Sequence, residues 1–176
     1  MSPRAPAPPL GSYLNDHLTG AFGGAALARR MAGTHADRRR AGELSVLARE
    51  VAEDRDELVR IMNRLGVPVR HYRTWIGVAA ERIGRLKPNG TLVHRAPLSD
   101  LIELEAMRTG VEGKAALWRA LRAVADENPA IDPADLDRLA RRADDQARLL
   151  NGWHREVSAE VLTRRDGAVP GRLSPR

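Results

Sequence analysis

Apolar residues recur at helical spacing along most of the chain and predict five helices. The predicted helices cover about residues 12–31, 37–65, 69–86, 99–125 and 133–163. Chain breakers separate them, with Gly66 and Pro68 after the second helix, Pro88 after the third and Pro129 after the fourth. The pattern therefore indicates a helical protein with mostly short connections.

Four of these helices are long and one, the third, is short. This arrangement predicts an all-α fold, a four-helix bundle with a short accessory helix between the second and third long helices. A five-helix array without a distinguished core is the alternative. Ser12 and Ser99 are expected to cap their helices, and Asp132 followed by Pro133 is a strong start signal for the last one.

The fourth predicted helix has two apolar faces. One face holds Leu104, Met107, Val111 and Trp118, and the other holds Ile102, Ala106, Gly110, Gly113 and Leu117. The small residues of the second face would let the accessory helix approach closely. The doubled apolar face also makes a homo-oligomer the expected assembly.

The ends of the chain differ in composition from its middle. Residues 1–10 contain four prolines and are expected to form a flexible N-terminal arm. Residues 11–163 form the predicted helical bundle domain. Residues 164–176 are expected to be a flexible basic tail.

Composition narrows the class of protein. A chain of 176 residues with 43% hydrophobic and 30% charged residues is typical of one globular domain. The absence of cysteine excludes a disulfide framework, a thiolate metal site and a cysteine nucleophile. No apolar run is long enough to span a bilayer and no signal-peptide core follows the proline-rich start, so we expect a cytoplasmic protein without a membrane partner.

The chain is basic, with a net charge of +6, and nearly all its cations are arginines. They are interleaved with acidic residues along every helix, which is typical of solvated helix faces. Only residues 38–40 and the C-terminal tail concentrate positive charge. Nucleic-acid binding therefore stays a secondary hypothesis, since it needs a contiguous basic surface.

Four ionisable residues fall within the inward faces predicted for the long helices: His17, Asp54, Glu103 and His154. A buried carboxylate without a partner is costly, so both acids need a cation, a hydrogen-bond donor or a metal. Histidine and carboxylate side chains from facing helices can ligate iron, manganese or zinc. These four residues are therefore the candidate metal ligands.

Each candidate also has a structural interpretation. Asp54 has no cation three or four residues away on its own helix, so a structural partner would come from another helix. His17 and His154 could be core histidines with satisfied ring nitrogens. Glu103 and Lys114 could be side chains that reach solvent from a helix–helix seam.

The order of the helices decides whether the four candidates can meet. If the long helices alternate up and down, all four lie within roughly three turns of one end of the bundle. If the short third helix is a long crossover, His17 and Asp54 form one pair while Glu103 and His154 form another at the opposite end.

This pattern resembles the ferritin-like superfamily, in which two helical hairpins joined by a long central connection carry inward carboxylate and histidine ligands. The segment from Pro97 to Leu121 is similar to uncharacterised ferritin-like proteins of GC-rich bacteria. The resemblance covers residues 12–163 and implies a metal site. The family's Glu-x-x-His motif is absent from the second and last helices, which argues against an oxygen-activating di-iron centre and leaves a degenerate branch with one metal or none.

Two functions from different classes follow. The first is a ferritin-like protein that binds a metal ion through the four inward residues. The second is a non-catalytic helical protein-interaction module without a metal. No serine has a histidine at a recognisable spacing, so the sequence gives no support to hydrolase or transferase chemistry.

Overall fold

A computed structural model of the chain describes residues 8–34, 38–70 and 97–163. All the regular secondary structure within these ranges is α-helical. The elements are α1 (Pro8–Thr34), α2 (Arg38–Arg64), α3 (Pro97–Ala125) and α4 (Pro133–Thr163). They correspond to the first, second, fourth and fifth predicted helices, so the prediction of four long helices is confirmed.

Three sequence predictions fall wholly or largely outside the described part of the chain. Most of the third predicted helix lies there, because the description after α2 ends at residue 70 and resumes at 97. The same holds for residues 1–7 of the predicted arm and for the tail, 164–176. Residues 8–10, which the sequence analysis assigned to the arm, belong to α1.

The directions of the helices follow from which residues meet. Arg40 near the start of α2 bonds Glu156 near the end of α4, whereas Arg64 at the end of α2 bonds the carbonyl of Ala130 just before α4. Helices α2 and α4 are therefore antiparallel. Contacts between α3 and α4 have the same reversed order. It follows that α2 and α3 run in the same direction.

Two antiparallel hairpins, α1 with α2 and α3 with α4, thus pack together, and α1 also contacts α3. Because α2 and α3 are parallel, α2 ends and α3 begins at opposite ends of the bundle. Helices of this length span about 40 Å. The chain between them joins those two ends, which is the second of the two topologies considered from the sequence.

The C-terminus of α2 has a well-defined stop signal. The amide of Val67 donates to the carbonyl of Met62 at 2.9 Å, and the amide of Gly66 donates to the carbonyl of Asn63 at 3.1 Å. This pair of bonds is the Schellman motif, which needs a left-handed residue just after the helix. Gly66 supplies it with a φ of +66°. Pro68 follows, where the helix cannot continue.

The helix starts agree with the sequence to different degrees. The carboxylate of Asp132 accepts a 2.9 Å hydrogen bond from the amide of Ala134, so the predicted cap before Pro133 is confirmed. Helix α1 instead begins at Pro8, four residues before the expected cap at Ser12. Proline is tolerated in a first helical turn, whose amides have no intrahelical partner in any case.

The buried apolar side chains form two clusters, one towards each end of the bundle. The first cluster includes Leu14, Leu18, Leu58, Trp118 and Leu136. The second includes Met31, Leu47, Met107, Leu150 and Trp153. A layer of charged and polar side chains lies between the two clusters. Among the described helices, none has the length and apolar character needed to cross a bilayer.

Candidate functional site

The polar layer is centred on Asp54 of α2, whose side chain is 1% exposed. Its Oδ2 accepts a hydrogen bond from Nζ of Lys114 on α3 at 2.5 Å. Its Oδ1 accepts one from the guanidinium of Arg142 on α4. Both oxygens of this buried carboxylate are therefore engaged by cations from two other helices.

The network extends outward from this centre. Nζ of Lys114 also donates to Oε1 of Gln146 at 2.5 Å. The amide of Gln146 donates to Oε2 of Glu50 at 2.9 Å. On the other side, Arg142 donates to Oε2 of Glu53 at 3.0 Å. The layer thus links α2, α3 and α4 through contiguous charged and polar contacts.

Burial and ion pairing shift the pKa values of Lys114 and Arg142 in opposite directions. Burial lowers the pKa of Lys114, and the charge and hydrogen bond of Asp54 oppose this effect only in part. Burial would also lower the pKa of Arg142, but the charge and hydrogen bond of Asp54, together with Glu53, raise it overall. Burial therefore disfavours the charged form of Lys114 on balance, whereas its carboxylate partners favour the charged form of Arg142.

An open groove of about 310 Å³ lies between α1 and α3, beside the polar layer. Small residues line much of it: Gly20, Ala21 and Gly24 from α1, and Ala106, Gly110 and Gly113 from α3. Side-chain atoms added at Gly20, Gly110 or Gly113 would meet nothing within 4 Å. Gly20, Gly110 and Gly113 therefore do not serve close packing among the described helices, and they leave a channel between α1 and α3.

The deeper lining of the groove is apolar with a few polar atoms. Val51, Leu58 and Met107 contribute apolar surface, and Asp54 and Lys114 of the polar layer also lie along it. Trp118 lines the groove with a side chain that is only 1% exposed. Its indole Nε1 has no hydrogen-bond acceptor within the described part of the chain. An occupant of the groove that carries an acceptor would satisfy this donor.

His17 of α1 lies at the edge of the same groove. Its ring meets that of Tyr13 edge to face, with 4.5 Å between the centroids. Burial lowers the pKa of His17, and the charge of Asp16 only partly opposes this. His17 and Asp54 therefore line one feature, although they come from different helices.

The other two candidates lie towards the opposite end of the bundle. Glu103 of α3 pairs with the guanidinium of Arg30 on α1 at 2.7 Å. His154 of α4 contacts Oε1 of Glu105 at 3.1 Å. Each residue has its own partner from a neighbouring helix.

The structure thus separates the four residues that the sequence singled out as candidate metal ligands. Within the described ranges, no three His, Cys, Asp or Glu side chains lie close enough to hold a metal ion together. As placed, the four candidates do not form a common ligand set. The contacts that the structure shows are with other residues, because Asp54 bonds Lys114 and Arg142, Glu103 pairs with Arg30, and His154 contacts Glu105.

Sequence reasoning identified Asp54 as buried and as needing a partner from another helix, but it did not identify the partner. The sequence pattern does not single out Arg142 as a partner of Asp54, because it is one of many arginines on a helix with charged neighbours. Lys114 was noted only as a residue at a helix seam. Its rarity was a usable signal, since only one other lysine, Lys87, occurs in the chain.

Comparison with known proteins adds no family to this description. No protein-family model matches the chain. Neither a curated protein nor a solved structure matches it either.

Proposed function

We propose that this chain is a non-catalytic helical interaction protein that holds an amphipathic helix in the groove between α1 and α3. The observation that supports this is the groove itself, which is open, largely apolar and lined by glycines from both helices. Glycine and alanine let a third backbone approach closely, while apolar side chains below them receive the apolar stripe of that helix. This is the helix-in-groove mode of recognition.

The polar layer supports the same proposal, because its groups are already paired. Both oxygens of Asp54 are committed to Lys114 and Arg142. A catalytic acid, base or metal ligand needs an oxygen that can reach a substrate or an ion. The layer instead acts as a rigid floor that fixes α2, α3 and α4 beneath the groove.

Membership of the ferritin-like superfamily is part of the proposal. What supports it is the pair of antiparallel hairpins in which α2 and α3 run in the same direction, so that a connection must pass lengthwise between them. Within that superfamily the chain would belong to a branch whose interior is closed by an ion-paired layer.

A labelled 20-residue amphipathic peptide, with apolar residues at i, i+3, i+4 and i+7, tests the groove. Fluorescence anisotropy with the full chain should show saturable binding, and a peptide of the same composition in scrambled order should not bind. Gly110→Trp fills the groove and should weaken binding at least tenfold. Gly152→Trp on α4 is the matched control, because it too has open space around it but lies away from the groove. Equal binding by the two peptides, or no effect of Gly110→Trp, would overturn the proposal.

Metal binding through His17, Asp54, Glu103 and His154 stays a prediction with its own test. Elemental analysis of protein purified without a histidine tag measures bound iron, manganese or zinc directly. Stoichiometric metal, with a rise in melting temperature when that metal is added, would replace the metal-free part of the proposal. Substoichiometric metal and an unchanged melting temperature would support it.

A further inference from the structure

Two side chains along the groove have hydrogen-bond donors that the described residues leave unused. Both belong to α3, which contributes Lys114 and Trp118 to the lining. They are four residues apart in sequence, so they lie about one turn apart on the same side of the helix. The groove therefore contains one short polar stretch among residues that are otherwise mostly apolar or small.

The ammonium of Lys114 has three N–H bonds, and the described residues accept two of them. The acceptors are Oδ2 of Asp54 and Oε1 of Gln146. Asp54 also serves Arg142, and the carboxamide of Gln146 carries no charge. Lys114 therefore shares its one directly bonded carboxylate with a second cation, although its side chain is only 13% exposed.

The other charged residues along the groove do not supply the missing anion. Burial lowers the pKa of Lys114, and a further carboxylate nearby would oppose this by favouring the charged form. Asp16 lines the groove from α1, but it is exposed to solvent. Arg55 of α2 is itself a cation and bonds Asp56. A second carboxylate for Lys114 would therefore come from the occupant of the groove.

Trp118 has the same need for an acceptor. Its side chain is 1% exposed, and its Nε1 has no acceptor among the described residues. A buried donor that forms no hydrogen bond is costly. A carboxylate has two oxygens that accept several hydrogen bonds, so one such group can serve donors one turn apart on α3.

We propose that the helix held in the groove carries an acidic residue within its apolar stripe, and that this carboxylate accepts hydrogen bonds from Lys114 and Trp118. This inference rests on the proposed function and names the chemistry of the helix that the groove selects. The apolar lining supplies affinity, and the two donors determine specificity and register along α3. A helix with lysine at that position would instead bring a second buried cation beside Lys114.

Two labelled 20-residue amphipathic peptides of identical composition test the selection. One has glutamate at a central position of its apolar stripe and glutamine on its polar face, and the other has these two residues exchanged. Their net charge and apolar residues are the same. Fluorescence anisotropy with the full chain at pH 7 should show at least fivefold tighter binding of the first peptide, because a hydrogen bond to a carboxylate is stronger than one to a carboxamide.

Variants of the two donors show whether they are the groups that read the carboxylate. The preference is the ratio of the two peptide affinities. Lys114→Met removes the ammonium and should abolish the preference. Trp118→Phe keeps a ring, removes the N–H and breaks no hydrogen bond among the described residues, so it should stay folded and lower the preference at least twofold. Trp153→Phe is the matched control, because its Nε1 donates to Glu43 outside the groove, and it should leave the preference unchanged.

The two proposals fail in different ways. If neither peptide binds, the groove does not hold a helix and both proposals are wrong. If both peptides bind equally, the groove holds a helix but does not select an acidic residue, and only this inference is overturned. A preference that is the same in Trp118→Phe, or that persists in a folded Lys114→Met variant, would also overturn it, because other groups would then read the carboxylate. Circular dichroism of each variant establishes that it is folded.

Discussion

Replacing Lys114 by methionine tests whether the polar layer holds the bundle together. The substitution keeps a long, flexible apolar stem but removes the ammonium that bonds Asp54 and Gln146. Hydrogen bonds to charged groups contribute about 1.5–3 kcal/mol, and breaking one side of a buried ion pair costs about 3–5 kcal/mol. Asp54 keeps Arg142 as a second partner. We therefore expect Lys114→Met to lower the free energy of unfolding by about 2–3 kcal/mol.

Asp54→Leu removes the other side of the pair and should cost more. Lys114 is then left with only Gln146 among its direct partners, while Arg142 keeps Glu53. We expect a loss of about 3–5 kcal/mol. The double variant replaces the buried charges by apolar groups that continue the two neighbouring clusters. Its cost should therefore be smaller than the sum of the single costs by about 2–3 kcal/mol.

Urea unfolding at pH 7, followed by circular dichroism at the helix band, measures all four proteins of this cycle. The control is the exposed pair Arg148 and Asp145 on α4, whose side chains are 71% and 66% exposed. The same two substitutions there should change stability by no more than about 0.5 kcal/mol each and show no coupling. Costs that simply add in the buried cycle, or a Lys114→Met variant as stable as the original, would refute the reasoning.

Three further predictions concern single residues. Gly66→Ala should lower the free energy of unfolding in urea by about 1 kcal/mol, because the φ of +66° at this position disfavours any side chain. Gly152→Ala inside α4 is the control and should raise the free energy of unfolding by about 0.5–1 kcal/mol. Equal effects of the two substitutions would contradict the left-handed cap. Asp132→Ala removes the cap of α4 and should lower the free energy of unfolding by about 1 kcal/mol in the same urea experiment. Asp132→Asn keeps a capping oxygen and should retain most of the original stability. Because burial lowers the pKa of His17, the unfolded chain binds a proton more readily below pH 6.5, so stability should fall as pH drops through the folded pKa. His17→Gln should reduce the slope of the free energy of unfolding against pH between pH 7 and 5. An unchanged slope would contradict the contribution of His17.

Local features of the fold could be predicted because they depend on neighbouring residues. The end of α2 follows from Gly66 and Pro68, and the start of α4 follows from Asp132 and Pro133. The inward position of Asp54 followed from helical periodicity alone. The early start of α1 does not follow from the sequence pattern, because the same two prolines, Pro8 and Pro9, fit both a flexible arm and a first helical turn.

The candidate site could be predicted only in part. The sequence placed Asp54 in the core, and this buried carboxylate takes its partners from two other helices, as predicted. Its partners lie 60 and 88 residues away in sequence, at Lys114 and Arg142. No local rule connects residues that far apart, and many arginines were equally good candidates.

The sequence by itself determined which segments of the described ranges are helical and that the carboxylate of Asp54 would need a partner inside the bundle. Only the tertiary structure decided that α2 and α3 run in the same direction. That direction separates His17 and Asp54 from Glu103 and His154, gives each of them its own partners and leaves a glycine-lined groove between α1 and α3. The physical reason is that periodicity and caps act within a few residues, whereas helix direction and ion pairing depend on contacts across the whole bundle.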